Sequence, residues 1–143
     1  MAFIGPIEDR LAIRELSGAY GYASASADCE GWLACWAPEC RWITVLGDVS
    51  GKPALRRQWQ SLWADWVCVA FSAEIGSIEV DGDTARVLAT TSETVLLKSG
   101  GLFKLAGLYE DRLVKHHGAW LYTERRHSAL FSESGTANPR AVT

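Results

Sequence analysis

Residues 67–131 read VCVAFSAEIGSIEVDGDTARVLATTSETVLLKSGGLFKLAGLYEDRLVKHHGAWLYTERRHSALF, and three turn signals divide this run into four β-prone segments. The turn signals are Asp81-Gly82-Asp83, Lys98-Ser99-Gly100-Gly101 and His116-His117-Gly118. The predicted strands are 67–80, 84–97, 102–115 and 119–131, joined as consecutive hairpins. Because strands usually have about five or six residues, strands of this length predict a strongly twisted and curved sheet.

Helical patterns precede this region. Pro6 suits the first turn of a helix, and the acidic side chains of Glu8 and Asp9 interact favourably with the positive N-terminal end of the helix dipole. We therefore predict a first helix over about 6–25. A short second helix is predicted after Asp28, which can cap it. This helix would carry Trp32, Cys35 and Trp36, and it would end at Pro38, because proline cannot continue the hydrogen-bond ladder.

A first strand and a third helix follow. Residues 41–46 are β-prone and predict the strand, and Pro53 then opens the helix. The apolar positions of this helix recur at the spacing of one helical face, and they are Leu55, Trp59, Leu62, Trp63 and Trp66. Three indoles therefore share one stripe.

Helices followed by a meander predict an α+β fold with three N-terminal helices packed on one face of a curved, mostly antiparallel sheet. We expect a cone-shaped domain, because the helices cannot fill the concave face completely and leave a pocket for a small ligand. We expect residues 1–131 to form this single domain. The tail, 132–143, is rich in Ser, Gly, Thr, Asn and Pro and is expected to be mobile or to lie at a subunit interface.

Composition excludes several classes of function. The net charge is −3 and no basic run exceeds two residues, so we expect no nucleic-acid partner. The start lacks the features of a signal peptide, and no apolar run approaches about 18 residues, so we expect a cytoplasmic protein that binds no membrane. The four cysteines lack the spacing of a zinc site, which predicts free thiols and no metal; no cofactor motif is found either.

Several short motifs resemble the SnoaL-like proteins of the nuclear transport factor 2-like superfamily. They occur in the order expected for that family and cover about residues 7–130, and they are Asp9–Leu16, Tyr20, Trp32, Ala37–Glu39, Val80–Ala85, Gly107–Val114, Gly118–Trp120 and Arg125-Arg126. The resemblance implies a cone-shaped α+β fold, frequent homodimers and a deep pocket. Members of the superfamily include polyketide cyclases, ketosteroid isomerases, scytalone dehydratase, dehydrochlorinases and many binding proteins, so the fold alone does not define the function.

The resemblance also implies site residues. Tyr20 falls where ketosteroid isomerases place a Tyr that donates a hydrogen bond to the substrate oxygen, although a Tyr here could equally belong to the core. Asp111 falls near the protonated Asp of the same enzymes, with Glu110 as the alternative register. The rival interpretation of Asp111 is a salt bridge to Arg125 or Arg126 on the neighbouring strand.

The chain departs from the family's best-known sites. Thr44 stands where ketosteroid isomerases have their general base. The Asp and His that act together in scytalone dehydratase and the dehydrochlorinases correspond to about Ser24–Ser26 and Ala70–Ser72. That catalytic pair is therefore missing.

Two further residues could move protons. His127 lies near the end of the last predicted strand, where its imidazole could act near pH 7 or could point outward. Strand alternation places Glu93 on the face of Ala85, Val87, Ala89 and Thr91, which makes it a candidate buried carboxyl group.

We predict that aromatic side chains form the wall of the pocket, although a stripe of aromatic residues along a helix is also typical of a hydrophobic core. The predicted wall is Trp36, Trp42, Trp59, Trp63, Trp66 and Phe71, and the further predicted ligand contacts are Ser24, Thr44, Glu93, Tyr109, Trp120 and Tyr122.

The sequence thus favours a cofactor-independent lyase or isomerase, of the cyclase or dehydratase type, acting on a hydrophobic aromatic or polycyclic carbonyl or hydroxyl compound. Tyr20 would polarise the substrate oxygen, and Asp111, His127 or Glu93 would move the proton. The alternative is a non-catalytic carrier of a small hydrophobic molecule, or the small structural subunit of a larger enzyme. In either case we expect a homo-oligomer, a dimer or higher.

Overall fold

The computed structural model describes residues 2–136. The helices are α1 (Ile7–Ala25), α2 (Cys29–Leu33) and α3 (Lys52–Trp63). The strands are β1 (Phe3–Ile4), β2 (Trp36–Thr44), β3 (Gly47–Ser50), β4 (Trp66–Asp81), β5 (Thr84–Leu97), β6 (Gly101–His116) and β7 (Ala119–Thr136).

These strands form one seven-stranded sheet in the order β1-β4-β5-β6-β7-β2-β3. Strands β4 to β7 are consecutive antiparallel hairpins, as predicted. Two pairings are parallel, β1 with β4 and β2 with β7. The sheet is therefore mostly antiparallel, and it curves around the three helices in the cone-shaped α+β arrangement that the sequence predicted.

The hairpin turns require backbone conformations that favour glycine. Gly82 has a φ of 60° and Gly118 a φ of 81°, in the region where a side chain is strained. His117, beside Gly118, also has a positive φ of 49°. These residues let the long strands reverse without a loop, so neighbouring strands stay paired along almost their whole length.

The second helix is shorter than predicted, because α2 ends at Leu33 and both Trp36 and Pro38 lie in β2. Proline fits this strand since the register of β2 against β7 shifts between Trp36 and Arg41, so Pro38 falls in the irregular part of the ladder. Trp66 likewise begins β4 instead of ending α3. The edge strands β1 and β3 were not predicted, since two and four residues carry almost no periodicity.

The last strand is longer than predicted. It continues past Phe131 to Thr136, and its end pairs with the start of β6, where Gly101 lies opposite Thr136. The side chains of Ser132–Thr136 are exposed. The rest of the predicted tail, 137–143, lies outside the described residues.

The core lies between the helices and the concave face of the sheet. Helix α1 packs against β4, and Ile13, Leu55, Ile78 and Leu113 are almost completely buried there. The indole of Trp36 is fully buried at the same layer. In the described part of the chain, no helix is long and apolar enough to cross a membrane.

All four cysteines are free, as predicted. Cys35 and Cys40 are buried, Cys29 is half-buried and Cys68 is exposed. Burial raises the pKa of Cys35 to about 11, so this thiol stays neutral at physiological pH. No cluster of three metal-ligating side chains occurs among residues 2–136.

Candidate functional site

An aromatic cavity of about 100 Å³ lies between the helices and the concave face of the sheet. Every one of the three helices and every strand from β4 to β7 contributes to its wall. The lining residues are Tyr20, Ser24, Trp32, Trp42, Thr44, Val45, Leu46, Trp59, Leu62, Trp63, Trp66, Val69, Phe71, Glu93, Val95, Phe103, Leu105, Tyr109 and His127.

Most of the residues predicted for the site line this cavity. They are Tyr20, Ser24, Trp42, Thr44, Trp59, Trp63, Trp66, Phe71, Glu93, Tyr109 and His127. The helical Trp stripe thus serves both the core and the cavity. The indoles of Trp59 and Trp63 lie 5.5 Å apart, and Trp59 also packs against Trp32 at 4.9 Å, between ring centroids.

Four predicted residues are not part of the lining. Trp36 and Tyr122 are buried behind it, with ring centroids 5.9 Å apart. The indole nitrogen of Trp120 donates a hydrogen bond of 2.9 Å to Asp9 Oδ1, which ties β7 to α1. Asp111 is buried in a salt bridge and is described next.

Asp111 forms the salt bridge that was the rival interpretation of this residue. Arg125 Nε and Nη2 donate hydrogen bonds of 2.8 and 3.0 Å to its two carboxylate oxygens, and both side chains are at most 2% exposed. Burial raises the pKa of the Asp111 carboxyl, and the charge of Arg125 opposes that rise. Glu110, the other register, is exposed on the outer face of β6.

The guanidinium of Arg125 lies among three tyrosine rings. Its central carbon is 4.3 Å from the ring centroid of Tyr20, 3.8 Å from that of Tyr109 and 4.2 Å from that of Tyr122. Two of these tyrosines line the cavity, so a buried, paired cation stabilises its floor through cation–π contacts. The sequence indicated only the ion pair, since the approach of three rings depends on the packing of α1 against β7 and on the pairing of β6 with β7.

Hydroxyl groups of the two lining tyrosines are suited to donate hydrogen bonds. Tyr109 Oη accepts a hydrogen bond of 3.1 Å from Trp42 Nε1, which leaves the hydroxyl proton free for another partner. Burial raises the pKa of Tyr20 and Tyr109, so both phenols remain protonated. Ser24, one turn after Tyr20, uses its hydroxyl to donate to the Tyr20 carbonyl oxygen at 2.9 Å.

His127 is buried, with 7% of its surface exposed, and it points inward. Its Nε2 shares a hydrogen bond of 3.1 Å with Thr91 Oγ1 on β5, two strands away. Its Nδ1 is buried and has no hydrogen-bond partner among the described residues. Burial and the nearby Arg125 charge lower the pKa of His127, so its imidazole is neutral at pH 7.

Gly107 makes the contact between Thr91 and His127 possible. It lies on β6 between them, paired with Thr91 on one side. A Cβ atom at Gly107 would lie 2.4 Å from His127 Cε1 and Nε2 and 2.6 Å from the Ser128 carbonyl oxygen. The imidazole of His127 therefore occupies the space that the side chain of any residue other than glycine would need at position 107. Neither Thr91 nor Gly107 was a sequence candidate, because the contact depends on the register of three strands.

Glu93 is the carboxyl group of the cavity lining. It lies on the inward face of β5 with Ala85, Val87 and Thr91, as strand alternation predicted, and it is half-buried. Burial raises its pKa to about 7, and the charge of Arg125 only partly opposes this rise. Glu93 is thus poised to take up or release a proton near neutral pH.

An opening of the cavity lies at the turn between β2 and β3. Val45 and Leu46 line the cavity and are nevertheless 60% and 61% exposed, so these apolar side chains face both the cavity and the solvent. The entrance is therefore as apolar as the wall, which suits a hydrophobic ligand.

Comparison with known proteins identifies relatives in family and fold. The model of the SnoaL-like domain family matches residues 6–126. No protein of curated function matches the chain.

Among solved structures, the chain is similar to a candidate aromatic ring hydroxylase from Novosphingobium aromaticivorans, with a TM-score of 0.86 and 22% identity over 94% of this chain and 96% of that one. It is also similar to a hexachlorocyclohexane dehydrochlorinase, LinA type 2, with a TM-score of 0.83 and 15% identity over 93% and 95% of the two chains. A third similar structure is a candidate scytalone dehydratase from Novosphingobium aromaticivorans, with a TM-score of 0.83 and 17% identity over 92% of this chain and 91% of that one. At these identities the likeness shows a shared fold.

Proposed function

The chain belongs to the SnoaL-like family, and we propose that it is a cofactor-independent lyase or isomerase acting by proton transfer on a hydrophobic ring compound with a carbonyl or hydroxyl group. The observation that carries the proposal is Glu93, a carboxyl group in an apolar cavity with its pKa raised to about 7. Lyase-type proteins, a dehydrochlorinase and a candidate dehydratase, occur among the proteins of this fold.

Glu93 takes the role of base in this proposal. In a β-hydroxy ketone, its carboxylate removes the proton from the carbon beside the carbonyl, and the electron pair left behind forms the C=C bond. The bond from carbon to the β-hydroxyl breaks, and the Glu93 carboxyl returns the proton to the departing oxygen. The products are an unsaturated ketone and water, with no change of oxidation state. Returning the proton to another carbon instead gives an isomerisation.

Tyr20 and Tyr109 stabilise the negative charge that develops on the carbonyl oxygen. Both phenols line the cavity, and Tyr109 already accepts from Trp42, so its proton is directed elsewhere. His127 is neutral, so it positions the substrate by hydrogen bonding without adding charge. Asp111, which the sequence considered for the proton transfer, is left out because Arg125 binds both of its oxygens away from the cavity.

The test is exchange of carbon-bound hydrogen, followed by proton NMR. Cyclohexanone in D₂O serves as the probe, because a base that removes a proton next to the carbonyl replaces it with deuterium. We expect the wild-type protein to accelerate this exchange, with a rate that rises as the Glu93 carboxyl ionises around pH 7. Glu93→Gln should lose about 100-fold or more of the acceleration.

The matched control is Glu110→Gln, the same change at an exposed position of β6. It should exchange at the wild-type rate. Equal rates for Glu93→Gln and Glu110→Gln would remove Glu93 from the mechanism. Tyr20→Phe should lower the rate about tenfold or more while the protein stays folded, and an unchanged rate would exclude Tyr20 as the donor.

The second candidate function is a non-catalytic carrier of a small hydrophobic molecule or a small structural subunit. It is favoured by the resemblance, which puts about Ser24–Ser26 where related dehydratases have an Asp, and by the hydroxyl of Ser24, which donates its hydrogen bond to the Tyr20 carbonyl oxygen. Tight binding of cyclic ketones without deuterium exchange would support the carrier. A second chain that co-purifies in stoichiometric amount would support the subunit role.

A further inference from the structure

The size of the cavity limits the ligand. Its volume is about 100 Å³, whereas a dry cavity of about 150 Å³ in another protein is known to accept benzene. The space therefore suits one six-membered ring with few substituents. The enclosed space is too small for two fused rings.

The wall resists expansion. Trp32, Trp59, Trp63 and Trp66 form a continuous series of ring contacts, with centroids 4.9, 5.5 and 5.5 Å apart in turn. Such a packed series is stiff, because moving one indole requires moving its neighbours. Phe71, another residue of the lining, packs on α1, where a Cβ atom at Gly21 would lie 3.2 Å from its ring.

One buried polar atom of the lining calls for a ligand group. His127 Nδ1 has no hydrogen-bond partner among residues 2–136, although the side chain is more than nine-tenths buried. Buried polar atoms in proteins nearly always have a partner. His127 lines the cavity, and Thr91 holds its imidazole at Nε2. A hydroxyl or carbonyl oxygen of the ligand therefore reaches Nδ1 when the imidazole tilts about that hydrogen bond.

The ligand group should also not be an anion. An anionic ligand would lie beside the Glu93 carboxyl, and the buried cation Arg125 is already matched by Asp111. An unpaired charge in an apolar cavity is strongly disfavoured.

We infer that this cavity selects a single-ring compound carrying one uncharged hydroxyl or carbonyl group, which His127 recognises. The inference rests on the proposed function in taking the cavity as the site, but it concerns binding alone. Of the two ligand classes that the sequence analysis considered, aromatic and polycyclic compounds, the inference favours single-ring aromatic compounds.

The first test is a calorimetric titration at pH 6 with phenol, toluene and 2-naphthol. Without a size limit, 2-naphthol would bind best because it buries the most apolar surface. We expect the reverse, with 2-naphthol bound about tenfold or more weakly than phenol, since forcing a second ring into a packed site costs about that factor. Equal or tighter binding of 2-naphthol would overturn the inference.

Enlarging the cavity should reverse the preference. Phe71→Ala removes a ring from the wall, so 2-naphthol should bind at least as tightly as phenol, whereas Tyr22→Ala, at a position 78% exposed on α1, should keep the wild-type order. Phe71→Leu replaces the first variant if that variant does not fold. No change of order in either folded variant at Phe71 would contradict the inference.

The polar part has its own test. Phenol should bind about fivefold or more tightly than toluene, as one hydrogen bond contributes roughly that factor. His127→Phe should abolish this difference while both ligands still bind. A difference that persists would show that another group reads the hydroxyl. Single-ring selectivity without deuterium exchange would refute the proposed chemistry alone, and exchange with equal affinity for two-ring compounds would refute the size limit alone.

Discussion

Substituting Gly107 by Ala tests the arrangement of the site from a position that carries no functional group. The new methyl group would lie 2.4 Å from two atoms of the His127 ring and 2.6 Å from the Ser128 carbonyl oxygen. Both distances are far below van der Waals contact, so the imidazole has to move. Its hydrogen bond to Thr91, 3.1 Å long, cannot survive that movement.

Two contributions set the expected loss of stability. Overpacking of a well-packed interior costs about 1–3 kcal/mol, and losing the Thr91–His127 hydrogen bond adds about 0.5–1.5 kcal/mol. We therefore expect Gly107→Ala to lower the free energy of unfolding by roughly 2–4 kcal/mol. Urea denaturation, followed by Trp fluorescence, measures this loss.

Gly76→Ala is the matched control. It makes the same change on β4, two strands from β6 in the sheet, where the nearest atom to the new methyl group, the Leu88 carbonyl oxygen, is 3.9 Å away. Its free energy of unfolding should stay within about 0.5 kcal/mol of wild type. Equal stabilities of the Gly107 and Gly76 variants would show that a methyl group at Gly107 does not clash with His127.

A double-mutant cycle separates the two clashes. In a His127→Ala background the ring is absent, so Gly107→Ala should cost at least about 1 kcal/mol less than in the wild-type background. The remaining cost reports the contact with the Ser128 carbonyl oxygen. Strict additivity of the two substitutions would show that His127 does not occupy the space above Gly107.

Three further outcomes are expected. Asp111→Asn should lower the free energy of unfolding by about 3–5 kcal/mol, because it leaves the Arg125 charge buried without its partner, whereas Asp48→Asn in an exposed pair should cost less than about 1 kcal/mol by the same urea assay. The folded state keeps the Glu93 proton up to about pH 7, whereas an unfolded Glu releases it near pH 4.5. The free energy of unfolding of the wild type should therefore fall by up to about 3 kcal/mol between these pH values. Urea midpoints across this range should decrease less in Glu93→Gln, and an identical pH dependence of the two proteins would contradict the raised pKa of Glu93. Light scattering should give the mass of at least two chains, and a monomer would refute the predicted homo-oligomer.

The fold was largely predictable because its signals are local. Turn residues such as Gly82 and Gly118 mark hairpins directly, and Pro6 marks the start of α1 within one residue. The errors arose where tertiary structure overrides local preference. Pro38 reads as a helix stop, yet it lies in β2 at an irregular part of the ladder, which no local pattern reveals.

The site was predictable in its walls and less so in its polar groups. Strand alternation correctly predicted that Glu93 and Asp111 point to the inner face of the sheet, because every second residue of a strand lies on the same face. Alternation could not tell that Asp111 is paired with Arg125 behind the cavity, whereas Glu93 lines it. The Thr91–His127 contact over Gly107 joins three strands, so only their register could show it.

Proton exchange by the Glu93 carboxyl group near neutral pH can be observed by carbon-13 NMR titration of the Glu side-chain carboxyl carbons. Glu93→Gln assigns the resonance of interest by removing it. We expect a midpoint of about 7 for Glu93. A midpoint at the ordinary Glu value near 4.5 would contradict it.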